Sequence, residues 1–234
     1  MMLKHINQIS EQAFLLDFGS EINLNLSKYV LAYGNSILNE AKKNKSLGIL
    51  NCVPSYNKIL IQFDPLFNNK TEIKNLLIFT NKKKFKFSNK KKIFKIPICY
   101  DDEFAFDLSD IEKKIQLNKD EIINLHLNRE YYVYMIGFMP GLPFMGNMDF
   151  KLLTKRKLSP RTYVPAGSVG IVNKLCVIYP NDSPGGWNII GRTPKKIFDS
   201  NSKNPSFLSA GCFVKFIKIS KKEYQIQKLK NEKK

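Results

Sequence analysis

Apolar and polar residues alternate along the first part of the chain in a way that predicts three strands and two helices. The strands are short apolar runs that end at turn-forming residues, and the helices have apolar residues at near-helical spacing behind Ser27 and Thr71, residue types favoured at helix N-caps. In chain order they are a strand at 13–18, a helix at 28–43, strands at 48–53 and 58–63, and a helix ending at Ile78. This order predicts an antiparallel sheet with helices on one face, so we expect a small α+β domain over residues 1–92.

Beyond residue 92 the pattern changes to short β-prone runs broken by glycine and proline. A strand at 93–99 comes first, followed by one helix that begins at Asp107 or Ser109 and a second that Asn118 caps. Apolar runs then recur at 131–138, 162–165, 168–172, 175–180, 187–193 and 211–219. Many short strands are typical of a barrel or sandwich. We therefore expect a mainly-β domain over residues 93–222 and a polar, frayed tail over 223–234.

Composition excludes several classes of protein. With 234 residues, of which 43% are hydrophobic, the chain can build a folded core. Its longest strongly apolar run, residues 131–138, is far shorter than the roughly 20 residues that cross a bilayer, and no signal-peptide pattern opens the sequence. The four dispersed cysteines include no C-x-x-C pair, which indicates neither a zinc site nor a disulfide framework. We expect a cytoplasmic protein without a membrane attachment or a bound metal.

The charge balance is strongly basic, with 38 Lys+Arg against 20 Asp+Glu and a formal net charge of +18. Such a balance raises nucleic acid as a partner, but only four of the basic residues are arginines, whose forked guanidinium makes bidentate contacts to phosphate and guanine. The most lysine-rich segment, residues 82–95, has eight lysines and no acid. It is more typical of an exposed linker leading into an edge strand than of an anion site. We expect no specific nucleic-acid partner.

Three segments dense in glycine and proline lie in the second part of the chain: GFMPGLPFMG at 137–146, SPRTYVPAGSVG at 159–170 and YPNDSPGGWNIIGRT at 179–193. Glycine lets the backbone approach a ligand, successive N–H groups can form a nest for an anionic oxygen, and proline stiffens such loops. Arg161 and Arg192 flank these segments and could hold a carboxylate or phosphate through two parallel hydrogen bonds. Barrel corners also need glycine and proline, but three such segments favour a pocket for a small anionic molecule.

Familiar catalytic motifs are absent from the sequence. It has no Walker A loop, and Ser168 in AGSVG lacks the G-x-S-x-G context of a nucleophile elbow, which favours a hydrogen-bonding role. His126, near the end of the second short helix, could titrate near neutrality, or it could be a half-buried residue bonded to a backbone carbonyl. Trp187, the only tryptophan, could form a pocket wall or anchor the core.

The three segments resemble the motifs of the family formed by the B component of 5-oxoprolinase, which also includes a sporulation-kinase inhibitor and proteins called allophanate hydrolase subunit 1. The family pattern P-R-x-x-V-P-A-G-S-V is matched in full at 160–169. The pattern Y-P-x-x-T-P-G-G-W-x-x-I-G-R-T is matched at 179–193 with Ser183 in place of threonine, and G-F-x-P-G-F-x-Y-L-G is matched in part at 137–146. His126 falls in a family-like L-H pair. The resemblance covers almost the whole chain.

The resemblance implies a small N-terminal α+β domain followed by a cyclophilin-like β-barrel. It also implies a function as one component, inactive alone, of an ATP-dependent hydrolase that opens 5-oxo-L-proline to L-glutamate. The implied partners are the related barrel protein that forms the C component and a separate A component, and ATP with Mg²⁺ is expected either here or on those partners. The residues implicated in catalysis are His126, Arg161 and Ser168. Those implicated in binding substrate or nucleotide are Gly137, Phe138, Pro140, Gly141, Pro165, Gly167, Tyr179, Gly185, Gly186, Trp187 and Arg192.

The sequence departs from the family pattern at Leu175, Cys176 and Val177, where family members have a Gln-Thr-Gly-like stretch. An amide donor and a hydroxyl are then missing from an expected pocket wall, which leaves the substrate open. Two alternative functions also stay open. One is inhibition of a sporulation-type histidine kinase. The other is the carboxyltransferase part of a biotin-dependent urea or amide carboxylase, which would need a separate biotin carrier because this chain has no A-M-K-M-type motif.

Overall fold

The structure is a computed structural model and describes residues 2–67, 70–85, 87 and 91–232. The chain divides into two compact units, Met1–Lys90 and Lys91–Lys234, each with its own apolar core. The lysine-rich segment 82–95, expected to be an exposed linker leading into an edge strand, lies partly outside the described residues. Among the residues that are described, every helix falls short of the length and apolar character needed to cross a bilayer.

The described residues of the first unit form a four-stranded antiparallel sheet with two α-helices. Its elements are β1 (His5–Ser10), β2 (Ala13–Asp17), α1 (Leu24–Lys43), β3 (Ile49–Ser55), β4 (Lys58–Phe63) and α2 (Lys70–Asn81). The strand order is β1-β2-β4-β3. Alternate residues of β2 and β4, such as Phe14 and Ile61, pack in one core with Tyr33 of α1 and Leu77 of α2. The Tyr33 hydroxyl donates a hydrogen bond to the Leu77 carbonyl at 2.5 Å, which joins the two helices.

Two elements of this unit, α1 and β1, differ from the sequence prediction. α1 begins earlier than expected, because Asn23 and not Ser27 is the N-cap, with its side-chain oxygen accepting from the Leu26 N–H at 2.8 Å. β1 is not predicted by the pattern because its residues, HINQIS, are mostly polar and exposed at the edge of the sheet. The strand predicted at 13–18 is β2, and the hairpin predicted at 48–63 is formed by β3 and β4, so both predictions are confirmed.

The described residues of the second unit form nine strands and three α-helices. They are β5 (Ile93–Ile98), α3 (Leu108–Ile115), α4 (Lys119–Leu127), β6 (Tyr131–Ile136), β7 (Pro143–Gly146), β8 (Arg161–Val164), β9 (Ser168–Val172), β10 (Leu175–Ile178), β11 (Ser183–Gly185), β12 (Asn188–Arg192), β13 (Phe213–Lys218) and α5 (Lys221–Glu232). Seven strands form one sheet in the order β12-β9-β10-β7-β6-β13-β5, and β8 pairs with β11 separately.

The seven-stranded sheet is a nearly closed barrel. Its two outermost strands meet where Cys99, directly after β5, exchanges two backbone hydrogen bonds of 2.9 and 3.0 Å with Arg192 at the end of β12. The sheet carries a different apolar cluster on each face. Along β10, Cys176 and Ile178 pack in the main core with α3 and α4, whereas Val177 between them belongs to a smaller cluster on the opposite face. This opposite face positions the site described below.

The helices of the second unit show one confirmed prediction and one difference. Asn118 caps α4 in a capping box, in which its side chain accepts from the Glu121 N–H at 3.0 Å and the Glu121 carboxylate accepts from the Asn118 N–H at 2.7 Å. The tail expected to fray instead forms α5. Its Tyr224 is buried, with its ring centroid 4.3 Å from that of Phe104. A single aromatic anchor in a polar segment explains why composition does not predict this helix.

Candidate functional site

The structure brings all three glycine- and proline-rich segments to one cavity, as the sequence predicts. The cavity has a volume of about 320 Å³, at the low end of the range for small-ligand sites. Its lining comes from the three segments, from Val177 of β10 and from Arg156: Phe138, Leu142, Phe144, Arg156, Pro160, Val177, Tyr179, Pro184, Gly185, Gly186 and Trp187.

Aromatic side chains form the walls of this cavity. The rings of Phe144 and Trp187 meet edge to face with centroids 5.9 Å apart. Phe138 is 75% exposed and has a φ of 68°, a left-handed conformation that costs energy in a residue with a side chain. An apolar ring held in this way is available for contact with a ligand.

Two consecutive glycines make room for two polar side chains beside the cavity. A Cβ atom on Gly185 would lie 2.3 Å from the Tyr179 hydroxyl, and one on Gly186 would lie 2.8 Å from Nε of Arg156. Burial raises the pKa of Tyr179, while the Trp187 backbone N–H and the charge of Arg156 act in the opposite direction. Gly185 is therefore required by close packing against the buried Tyr179, whereas Gly186 lets the Arg156 side chain pass close to the backbone.

Arg156 supplies the guanidinium group of the cavity. Within the part of the chain that the structure describes, its side chain forms no salt bridge or hydrogen bond. The sequence prediction placed this role on Arg161 and Arg192 instead. Nothing in its local sequence, LTKRKLSP, distinguishes Arg156 from a solvated surface residue.

Arg161 already has a carboxylate partner within the protein. Its guanidinium donates hydrogen bonds of 2.8 and 2.5 Å to the two oxygens of Asp107, a residue with no exposed surface. Asp107 also accepts from Nζ of Lys157 at 2.5 Å and from the Ile189 N–H at 2.7 Å. Burial alone would raise the pKa of Asp107, but the hydrogen bonds from Arg161 and Lys157 outweigh it and hold the pKa below its usual value. Arg161 is absent from the described cavity lining, and its fork is not free for a substrate.

Arg192 also lies outside the described lining of this cavity. Its guanidinium carbon is 5.3 Å from the ring centroid of Phe104 and 5.8 Å from that of Phe106. Arg161 stacks on the same Phe106 ring at 5.7 Å, so the two arginines predicted to bind an anion share one aromatic ring. Nε of Arg192 is buried and has no hydrogen-bond partner among the described residues.

His126 is fully buried inside the barrel. Its Nδ1 lies 2.7 Å from the Tyr100 hydroxyl and its Nε2 lies 3.7 Å from Sγ of Cys176. Burial lowers the pKa of His126 to about 3, so the ring is neutral near pH 7. Because Cys176 and Val177 point to opposite faces of β10, the sheet separates His126 from the cavity. The expected titration near neutrality is wrong, and so is the alternative of a half-buried ring.

Ser168 is likewise buried, and its hydroxyl has no partner among the described residues. Of the residues predicted to bind substrate or nucleotide, five line the cavity: Phe138, Tyr179, Gly185, Gly186 and Trp187. Six others are outside its described lining: Gly137, Pro140, Gly141, Pro165, Gly167 and Arg192.

The three residues that depart from the family pattern do not share one wall. Val177 lines the cavity, whereas Cys176 points into the core against His126 and Leu175 is half-buried. The expectation that all three belong to a pocket wall is corrected by the alternation of β10. Only Val177 changes the surface that a ligand would meet.

A second, smaller cavity of about 210 Å³ has Gly167 in its lining, together with three lysines, Lys195, Lys196 and Lys228, and with Tyr224 and Asn231. Lys196 is paired with Asp199 at 2.9 Å. Among the described residues, no group of three or more His, Cys, Asp or Glu side chains is arranged to hold a metal ion.

The fold and the site define a nearly closed barrel with an aromatic cavity, whose lining includes the Arg156 guanidinium, a group to which no described residue is hydrogen-bonded or ion-paired. Residues 4–208 match the family described as carboxyltransferase domain, subdomain C and D. The chain is 35% identical to the B component of 5-oxoprolinase from Bacillus subtilis, covering 95% of this chain and 96% of that protein. It is 34% identical to the component of the same name from Haemophilus influenzae, with coverage of 91% and 97%. The chain belongs to the family of 5-oxoprolinase B components, within the carboxyltransferase C and D domain family.

A solved structure shows the same fold. The protein TTHA0988 superposes with a TM-score of 0.76 and is 28% identical to this chain. The match covers 89% of this chain and 40% of that protein, so this chain is similar to less than half of it.

Proposed function

We propose that this protein is the B component of an ATP-dependent 5-oxoprolinase, which opens the lactam of 5-oxo-L-proline to L-glutamate with hydrolysis of ATP. The observation that carries the proposal is the meeting of the three family segments at one cavity of about 320 Å³ that combines aromatic walls with a guanidinium group. The substrate has a small ring and a carboxylate, which suit these two features. Two relatives of nearly the same length carry the name of this component.

The chemistry of the reaction divides between the substrates and this chain. Opening an unstrained amide requires activation of the carbonyl oxygen, which phosphorylation by ATP supplies. The cavity contributes binding: the walls formed by Phe144 and Trp187 exclude water, and the positive charge of Arg156 attracts a carboxylate. Arg161, predicted to be catalytic, acts in this proposal by fixing segment 159–170 through Asp107. We assign no reacting atom to His126 or Ser168, because both are buried.

The remaining parts of the enzyme are assigned to other proteins. The names of the relatives support this, since a B component implies further components. We propose a barrel protein like the C component and a protein like the A component as partners, an enzyme located in the cytoplasm, and a B chain that is inactive alone. The lysine-lined cavity beside Gly167 has the charge to attract a phosphoryl group, and the rest of ATP and its Mg²⁺ are assigned to the partners. We further propose that the barrel is of the cyclophilin-like type.

Reconstitution tests this proposal. The chain is co-purified with a C-like and an A-like protein and incubated with 5-oxoproline and ATP. We expect glutamate and ADP to form together, and no glutamate when ATP or this chain is omitted. Failure of the complete mixture to release glutamate would overturn the assignment.

A carboxyltransferase function is the second candidate, favoured by the description of the matching family. This chain would then transfer a carboxyl group between a biotin carrier on another protein and urea or an amide. The same purified complex, supplied with carboxybiotin and urea, distinguishes the two functions. Carboxylated urea without release of glutamate from 5-oxoproline would favour this candidate.

A further inference from the structure

We propose that Arg156 is the carboxylate-binding residue of the cavity and that the cavity selects compact ring carboxylates. The inference rests on the proposed function, because it places the substrate of that function in this cavity. It assigns the carboxylate-binding role to Arg156 and not to Arg161 or Arg192, the two arginines that the sequence pattern favours.

Arg161, Arg192 and Arg156 differ in the protein groups that their guanidinium groups contact. The Arg161 fork is filled by Asp107, and the Arg192 guanidinium is stacked on Phe104 and Phe106. Arg156 lines the cavity, and its side chain has neither a salt bridge nor a hydrogen bond among the described residues. A guanidinium retains its five donors when no protein group accepts from it, so an entering carboxylate meets an unsatisfied bidentate partner.

The backbone on both sides of Arg156 is fixed. Directly after it, the Lys157 N–H donates to the Gly186 carbonyl at 2.9 Å. Directly before it, the Lys155 carbonyl accepts from the side-chain amide of Asn188 at 2.9 Å, and Asn188 is buried. These two hydrogen bonds hold residues 155–157 against β12 and Gly186, which reduces the entropy that Arg156 loses when it binds a ligand.

Gly186 determines where the Arg156 side chain runs. A Cβ atom at Gly186 would lie 2.8 Å from Nε and 3.4 Å from Cγ of Arg156. The arginine stem therefore passes directly over the glycine and carries the guanidinium to the cavity. A carboxylate bound there has its ring directed toward the apolar walls formed by Leu142, Phe144 and Trp187. This arrangement defines the ligand class: a small, mostly apolar ring with one carboxylate.

Ligand binding to the full-length chain and to the reconstituted complex tests the inference. The probes are 5-oxoproline, cyclopentanecarboxylate and 2-pyrrolidinone, the last of which is a lactam ring without a carboxylate. We expect Arg156→Ala to lower the affinity for both carboxylates by about tenfold or more, because a hydrogen bond to a charged group contributes on this scale. The affinity for 2-pyrrolidinone should not change. Arg156→Lys should restore part of the affinity, because the charge returns without the fork. Lys155→Ala, next to Arg156 and also exposed, is the matched control and should bind like the wild type.

The outcomes separate this inference from the proposed function. If Arg156→Ala weakens all three probes equally, or none of them, or if the wild type binds neither carboxylate in either preparation, the inference is overturned. Arg156-dependent binding of cyclopentanecarboxylate without binding of 5-oxoproline supports the inference and contradicts the proposed function. Glutamate production that survives Arg156→Ala with an unchanged KM supports the proposed function and overturns the inference.

Discussion

The carboxylate of Asp107 accepts a hydrogen bond from each terminal nitrogen of Arg161, although Asp107 occupies the N-cap position of α3. An aspartate at this position ordinarily accepts from the backbone N–H groups of its own helix. Here the side chain makes no such bond and turns instead to Arg161, Lys157 and the backbone of Ile189. One buried charge therefore links the start of α3 to β8 and β12.

We expect Asp107→Asn to lower the free energy of unfolding by about 3 kcal/mol, because it leaves the Arg161 guanidinium without its anionic partner and takes the nearer of two carboxylates from Lys157. Arg161→Ala should cost a similar amount, because the carboxylate it leaves is buried. Urea denaturation of the two single variants and the double variant measures the coupling, and the double variant should lose less than the sum. Asp110→Asn, at an exposed carboxylate on α3, is the control and should change stability by less than about 0.5 kcal/mol. Strictly additive losses would mean that the pair does not act as a unit.

His126 should make the fold sensitive to acid. Its pKa is lowered to about 3 by burial, whereas a histidine in the unfolded chain titrates near 6.5. Below about pH 6.5 the unfolded state binds a proton that the folded state does not, so the stabilisation is complete above that pH and is lost as the pH falls toward about 3. The slope is about 1.4 kcal/mol per pH unit.

Urea denaturation between about pH 7 and pH 4 measures this slope. His126→Gln should flatten it by about one proton, whatever the substitution costs in absolute stability. His5→Gln, which replaces the exposed histidine of β1, is the matched control for the substitution itself. An unchanged slope in His126→Gln would show that the folded-state pKa is not lowered.

The residues of the site show which features can be predicted from the sequence and which depend on the fold. Glycine and proline act locally, so the three segments and most of the short strands are visible in the sequence. The partner of Arg161 lies 54 residues away and looks like a helix cap, so local pattern assigns both residues to other tasks. The side of β10 that each residue faces depends on strand pairing, which is why Cys176 is wrongly expected in the pocket wall. Arg156 has no local signal, because only the fold shows that it lines the cavity and that its side chain forms no salt bridge or hydrogen bond with any described residue.

The two glycines of the Pro-Gly-Gly-Trp sequence should respond differently to the same substitution. Gly185→Ala places a methyl group 2.3 Å from the hydroxyl of Tyr179, a buried residue, so we expect a loss of about 1–3 kcal/mol in the free energy of unfolding. Gly186→Ala places it 2.8 Å from Nε of the exposed Arg156, which can move away. Stability should then change by less than about 1 kcal/mol, while the affinity for 5-oxoproline falls severalfold. Urea denaturation and calorimetric binding measure the two effects, and the reverse pattern would contradict the assigned contacts.

Val177 should limit the size of the ligand, because it is the residue of β10 that lines the cavity. Val177→Ala removes two methyl groups from that wall and should raise the affinity for cyclohexanecarboxylate relative to cyclopentanecarboxylate by about tenfold, the scale of one methylene in an apolar pocket. The same change should cost about 1–2 kcal/mol of stability. Cys176→Ala, one residue earlier and on the core side of the strand, is the matched control: it should lower stability without altering the ratio of the two affinities. An unaltered ratio in Val177→Ala, or an equal shift in Cys176→Ala, would mean that the ligand does not contact this face of the barrel.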